Sequence, residues 1–278
     1  MKCPYCGSEI ADNSRFCTVC GADLQNLQGT PALAGGKADS AKAMEKVANT
    51  GLVLGAAARE ARLYAEYDPA DIISVRAYNA IIVGVLLYGI VVNILLCWFV
   101  GDVYEYVHPI VFLVAYLILA FGGVVLSSAS HKPILSFLGY NMVVVPFGLV
   151  ISTLVEAYGG IGSEIVTLAF LYTLLISAGM GAASIAFPKF FSKIGGALLG
   201  VLIGVVIAEV VLLLLGFDQS WIDWIVAGLF SLYIGYDVYR SQQFAKTVDN
   251  AVDCALDIYL DIANLFLRLL QILGKRRK

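Results

Sequence analysis

The chain has 278 residues, of which 60% are hydrophobic and 14% charged, with a net charge of −3 and a mean hydropathy of +0.83. Soluble domains average about 45–50% apolar and about 25% charged residues, so the composition excludes an ordinary water-soluble globule. The slightly negative balance excludes a broadly basic nucleic-acid binder, which needs Lys and Arg in excess on one face. The charges are uneven: residues 1–78 hold 17 of the 39, residues 79–234 hold 10, and residues 235–278 hold 12.

Residues 1–23 form a separate unit. The start MKCPYCGSEI lacks the apolar run of a secretory leader, so none is expected. It holds instead Cys3-x2-Cys6 and Cys17-x2-Cys20, with Gly7 and Gly21 after the pairs. Two residues between thiols let both sulfurs of a tight turn face one ion, and four thiolates complete the tetrahedron of structural zinc. Glycine supplies the positive φ that such a knuckle uses. The stretch CPYCGSEIADNSRFCTVCG resembles the short zinc-ribbon modules at the ends of many bacterial proteins. With all four ligand positions filled by protein, the Zn²⁺ is expected to be structural, and reduced thiolates point to the cytosolic side.

Residues 24–76 are expected to join this module to the apolar part. GTPALAGG is a flexible linker. The stretch AKAMEKVANTGLVLGAAAREARLYAEY reads as an Ala-rich helix whose mixed-charge face suits a membrane surface, solvent or a partner, before Asp68-Pro69 breaks it.

From residue 77 the pattern is that of a multi-pass membrane domain, since about 20 mainly apolar residues cross the bilayer core. The expected spans are 77–100, 107–128, 134–156, 164–186, 194–216, 220–240 and 250–273, with a basic tail at 275–278. Lys132, Lys189, Lys193, Arg240 and Lys246 lie in or beside the even connections, whereas 101–106, 157–163 and 217–219 contain no Lys or Arg. The positive-inside rule then places the N-terminus and the zinc module in the cytosol of a cell-membrane protein. Gly196, Gly200 and Gly204 form a small-residue stripe suited to close helix packing, and Asn93 and Asn141 suit hydrogen bonds between helices. Cys97 and Cys254 read as small hydrophobes, and His108 and His131 lie near span ends.

The last two spans carry the expensive groups. Asp253, Asp257 and Asp261 recur every four residues, followed by Asn264 and Arg268, so all five share one slowly drifting helix face. An Asp at mid-membrane costs about 2.5–3.5 kcal/mol on insertion scales. The seventh span is therefore expected to be surrounded by the others or to line water, with Asp253 and Asp257 also suited to a wet helix mouth. Asp237, in GYDVYR, is a second deep carboxylate, which can pair with Arg240 one turn on or meet Asp261 across an antiparallel pair. The second arrangement is symmetric about Asp249, with the sixth helix running past Arg240 to a turn there. Two carboxyls in contact at low dielectric cannot both ionise cheaply and are expected to share a proton. Such a pair acts as a pH-operated latch between helices, and carboxylates are the hard oxygen ligands of Ca²⁺. Asp102, Glu105, Glu156, Glu164, Asp218 and Asp223 add an acidic field at the opposite ends of the spans.

The segment GYDVYRSQQFAKTVDNAVDCALDIYLDIANLFLRLLQILG resembles the C-terminal signature of the Bax inhibitor-1 family: YD on one helix, then LYLD, NLF and a Leu-rich end. The resemblance implies seven transmembrane helices with a central C-terminal helix, and a pH-sensitive Ca²⁺ leak whose proton-sensing aspartates fall on Asp237 and Asp261. Bacterial relatives can carry an Arg at the cytosolic end of the second span and an acid within it. Here that end reads SSASHKP and the span has no acid, while Glu209 in the fifth span offers a replacement carboxylate.

Three function classes follow. The first is a non-enzymatic cation leak using Asp237, Asp261, Asp257, Arg240 and Arg268. The second is a regulatory membrane protein whose zinc ribbon docks a protein partner, such as a membrane protease or a stress-response component. The third is an intramembrane aspartyl protease, disfavoured because DIYLDIAN lacks GxGD; HExxH, GxSxG and a phosphate loop are also missing. Seven full crossings put Lys275, Arg276, Arg277 and Lys278 outside, against the positive-inside rule. A cysteine added after Lys278 is expected to react with an impermeant thiol reagent applied from outside; labelling only from the cytosolic side would show that the seventh segment does not cross.

Overall fold

A computed structural model describes residues 69–129, 132–216 and 220–275, so the zinc ribbon, its linker up to residue 68, His131, Asp218 and residues 276–278 lie outside the described residues. Among these residues there are seven long α-helices and no strand. They are α1 (Val75–Phe99), α2 (Pro109–Ala129), α3 (Pro133–Ala157), α4 (Glu164–Ala186), α5 (Pro188–Leu215), α6 (Ser220–Ser241) and α7 (Val248–Lys275). The chain is thus an all-α multi-pass membrane protein, with α1 to α5 each long and apolar enough to cross a bilayer. Helices α6 and α7 are comparably long but carry the charged residues.

Local chemistry sets the helix ends. The Ser74 and Ser163 hydroxyls accept from the amides of Ala77 and Val166, capping α1 and α4. Pro133 and Pro188 open α3 and α5 at a position where no amide donor is needed, and Gly216, at φ 72°, closes α5 in the left-handed conformation. The fifth helix starts six residues before the apolar run at 194. Pro188 opens it, and Lys189 and Lys193 are exposed on its first turns.

Helix α7 is the centre of the bundle and packs against α1, α3, α4 and α6, while α2 lies against α3 and α5 against α6. Its contacts with α1 and α3 are aromatic and polar. Tyr259 meets Tyr140 and Phe147 edge-on at centroid distances of 5.9 and 6.3 Å. Asn93 of α1 donates to the Tyr259 hydroxyl at 2.7 Å, and Tyr88 donates to Asn141 Oδ1 at 2.7 Å, so both asparagines bond between helices. Outward faces are apolar, with Leu87, Ile118, Ile207 and Leu214 all exposed from the bundle. A bilayer is the solvent that such a surface requires.

Two expectations change. The glycine stripe of α5 is not a packing seam within the described residues: a Cβ on Gly196, Gly200 or Gly204 would meet nothing within 4 Å. The close approach lies instead between α2 and α3, where a Cβ on Gly139 would stand 2.5 Å from the carbonyl oxygen of Gly123. The turn between α6 and α7 is not at Asp249 either. Helix α6 stops at Ser241, and Asp249 already sits in the first turn of α7, with Thr247 Oγ1 accepting from the amide of Asn250 at 3.2 Å. The cause is Lys246, which is 4% exposed. Its ammonium donates to the carbonyls of Ser241 and Gln242 at 3.3 and 2.7 Å, supplying the donors that the end of α6 lacks, and it rests 4.6 Å over the Tyr78 ring.

Gly139→Ala is expected to lower stability by about 1–3 kcal/mol, the usual cost of overpacking, whereas Gly200→Ala should be neutral or slightly stabilising. Thermal unfolding of the two variants in the same detergent checks the contrast.

Candidate functional site

The polar groups of α7 gather in three places along its length. Nearest the connection with α6, Asp249 and Asp253 are buried, at 3% and 4% exposure. Ser136 of α3 donates to Asp249 Oδ1 and Ser127 of α2 to Asp253 Oδ1. Asp253 is therefore not in a wet helix mouth: it is buried, and the end of α2 supplies the hydroxyl donor that a buried carboxylate requires. Ser127 and Ser136 were not identifiable from composition, because hydroxyls at span ends are commonplace and only the tertiary fold brings them to a carboxylate. Asp257 is part-buried one turn further along.

The second place is deep in the bundle. Asp261, 6% exposed, shares a hydrogen bond with Asp237 of α6, and its Oδ2 has no hydrogen-bond partner. Tyr233, one turn before Asp237, stands in the field of both carboxyls. Two ionised carboxylates have no donor to offer each other, so a bond between them contains one proton. Arg240 does not occupy this place. Its guanidinium lies over the Phe244 ring at 5.4 Å.

The third place is at the other end of α7. Arg268 reaches Glu209 of α5 through Nη2 at 2.7 Å and Asp223 of α6 through Nη1 at 2.9 Å. Lys275 Nζ joins the second oxygen of Asp223 at 2.9 Å. Glu209 therefore lies beside Arg268 rather than beside the Asp237 and Asp261 pair. Asp223 precedes Asp237 by fourteen residues and Lys275 follows Asp261 by fourteen, so both contacts belong to one antiparallel register of α6 and α7. Along the helix these contacts are about 21 Å apart. Lys275 ends α7 on an acid supplied by the start of α6. No motif announces this cluster. Only the seven-residue steps from Asp261 to Arg268 and from Arg268 to Lys275 mark them as one face.

The four cysteines Cys3, Cys6, Cys17 and Cys20 lie outside the described residues. Four thiolates in two C-x2-C pairs are the donor set that tetrahedral Zn²⁺ takes. A zinc-ribbon domain model matches residues 2–24. A family model described as inhibitor of apoptosis-promoting Bax1 matches residues 72–278, about three quarters of the chain, and no curated protein matches the sequence. With seven long helices among the described residues, the C-terminal one buried, and a family-model match over the membrane domain, the chain belongs to the Bax inhibitor-1 family.

Proposed function

We propose that the protein is a pH-responsive cation leak, with Ca²⁺ as the cargo and the proton shared by Asp237 and Asp261 as its latch. The observation that carries this reading is the carboxyl pair itself, a buried Asp261 on α7 and a half-buried Asp237 on α6, joined by a bond that exists only while a proton is shared. Each carboxyl has its own part. Asp261 stands on the central helix and cannot turn to lipid without a cost of about 2.5–3.5 kcal/mol. Asp237 stands on α6, one turn before its end, and faces the central helix from outside it.

Removing the proton leaves two like charges in contact at low dielectric, which repel and drive α6 from α7. The freed oxygens are hard ligands of the kind that Ca²⁺ takes. The unpartnered Oδ2 of Asp261 is one such oxygen. The charge on the helix face and its access to ions thus change in the same step, which makes the pair both sensor and barrier.

The zinc-ribbon match favours a second, compatible role, in which the Zn²⁺ module is a rigid docking knob for a cytosolic protein partner and the membrane domain is what it regulates. In this reading the N-terminus is cytosolic and the protein resides in the cell membrane.

Ca²⁺ entry into liposomes holding the full chain tests the leak. Wild type is expected to admit Ca²⁺ at a rate that varies with pH, and Asp237→Asn to lose that variation, because its amide cannot exchange the shared proton. Wild type and Asp237→Asn both indistinguishable from empty vesicles at every pH would rule the leak out.

A further inference from the structure

The polar face of α7 does not end at the carboxyl pair. Seven residues are two turns less about 20°, so Asp261, Arg268 and Lys275 follow one another along nearly the same line at steps of about 10.5 Å. A cation that left Asp261 along this face toward the far end would next meet the Arg268 guanidinium.

That guanidinium is held in place. It forms an ion pair with Glu209 of α5 through one Nη at 2.7 Å and a charge-assisted hydrogen bond to Asp223 of α6 through the other at 2.9 Å, so two different helices fix its position. Asp223 is 3% exposed, and its second oxygen is taken by Lys275. Both acids are thus engaged by bases, so while the guanidinium is present they offer a passing cation no net charge. Arginine also stays protonated throughout the accessible pH range, unlike a carboxyl pair.

We infer that Arg268 is a second barrier in series with the Asp237 and Asp261 pair, and a determinant of which ions pass. Its guanidinium, paired with Glu209 and Asp223 on that face, neutralises the carboxylates that would otherwise draw a cation onward. This inference rests on the leak reading. It adds that releasing the carboxyl pair is not sufficient for fast cation flux while the guanidinium remains on the same face.

Flux of Ca²⁺ into liposomes, at the pH of fastest wild-type entry, separates a charge barrier from a structural clamp. Arg268→Gln removes the charge and is expected to raise flux about tenfold, the scale on which local fields change ion access. Arg268→Lys keeps the charge but loses the planar fork that bridges two acids, and should hold flux well below that of the glutamine variant. A clamp without an electrostatic role predicts that lysine and glutamine raise flux alike.

Arg268→Gln leaves two acids partly uncompensated and can fail to fold. The double variant Glu209→Gln with Arg268→Gln removes a pair together and is expected to show the same rise in a folded protein. Flux in either glutamine variant no higher than wild type, or as high in Arg268→Lys, overturns the second barrier while leaving the leak standing. Wild type and every variant matching empty vesicles overturns the leak reading and the second barrier together.

Discussion

The constraint on which the rest of the structure depends is that a helix carrying Asp249, Asp253, Asp257, Asp261, Arg268 and Lys275 cannot face hydrocarbon. Everything about the bundle follows from hiding it. Four helices surround α7, and the two left over cover their neighbours from outside. The ordinary order of a soluble protein is turned inside out: the polar residues form the axis, and the exposed skin of Leu, Ile, Val and Phe meets the lipid. The central helix is held less by apolar area than by partners tailored to each charge. These are serines near the connection, another carboxyl in the middle, and opposite charges at the far end.

That gradient of partners has an energetic logic. Hydroxyl donors satisfy a carboxylate without fixing its charge relationship to anything else. A second carboxyl satisfies it only conditionally, through a proton. A guanidinium satisfies it permanently, because nothing in the accessible pH range discharges arginine. The helix thus runs from fixed hydrogen bonds, through one conditional bond, to fixed ion pairs. Among the described contacts of α7, the carboxyl–carboxyl bond in the middle is the one that is made by a shared proton.

Much of this was legible in the sequence, for identifiable reasons. Seven apolar runs and alternate connections without Lys or Arg mark the spans, because hydrocarbon imposes its length on every crossing. The four-residue recurrence of Asp on the last helix requires a buried axis, which is where α7 lies. Less legible was anything decided by two distant segments at once. The apolar run of the fifth span hides the true start of α5, because Pro188 acts earlier than the hydropathy does. The glycines at 196, 200 and 204 have the spacing of a seam but face away from the bundle, whereas the seam that exists, Gly123 on Gly139, has no repeat to announce it. Glu209 read as an isolated carboxylate because its partner, Arg268, lies 59 residues downstream on another helix.

The burial of Lys246 has one more consequence, for how the chain tolerates change. Surface connections between helices usually accept extra residues, because their backbone can turn to water. This one cannot. Its ammonium is the cap of α6, its carbonyl oxygen accepts from the amide of Ile73 ahead of α1 at 2.8 Å, and Asn250 of α7 holds the carbonyl of Ala245 at 2.9 Å. The connection is a rivet through three helices rather than a leash between two, and lengthening it would pull a buried cation out of its seat. Evolutionary insertions and engineered tags should therefore be excluded from residues 242–247, although by length and position they look like the most permissive part of the domain.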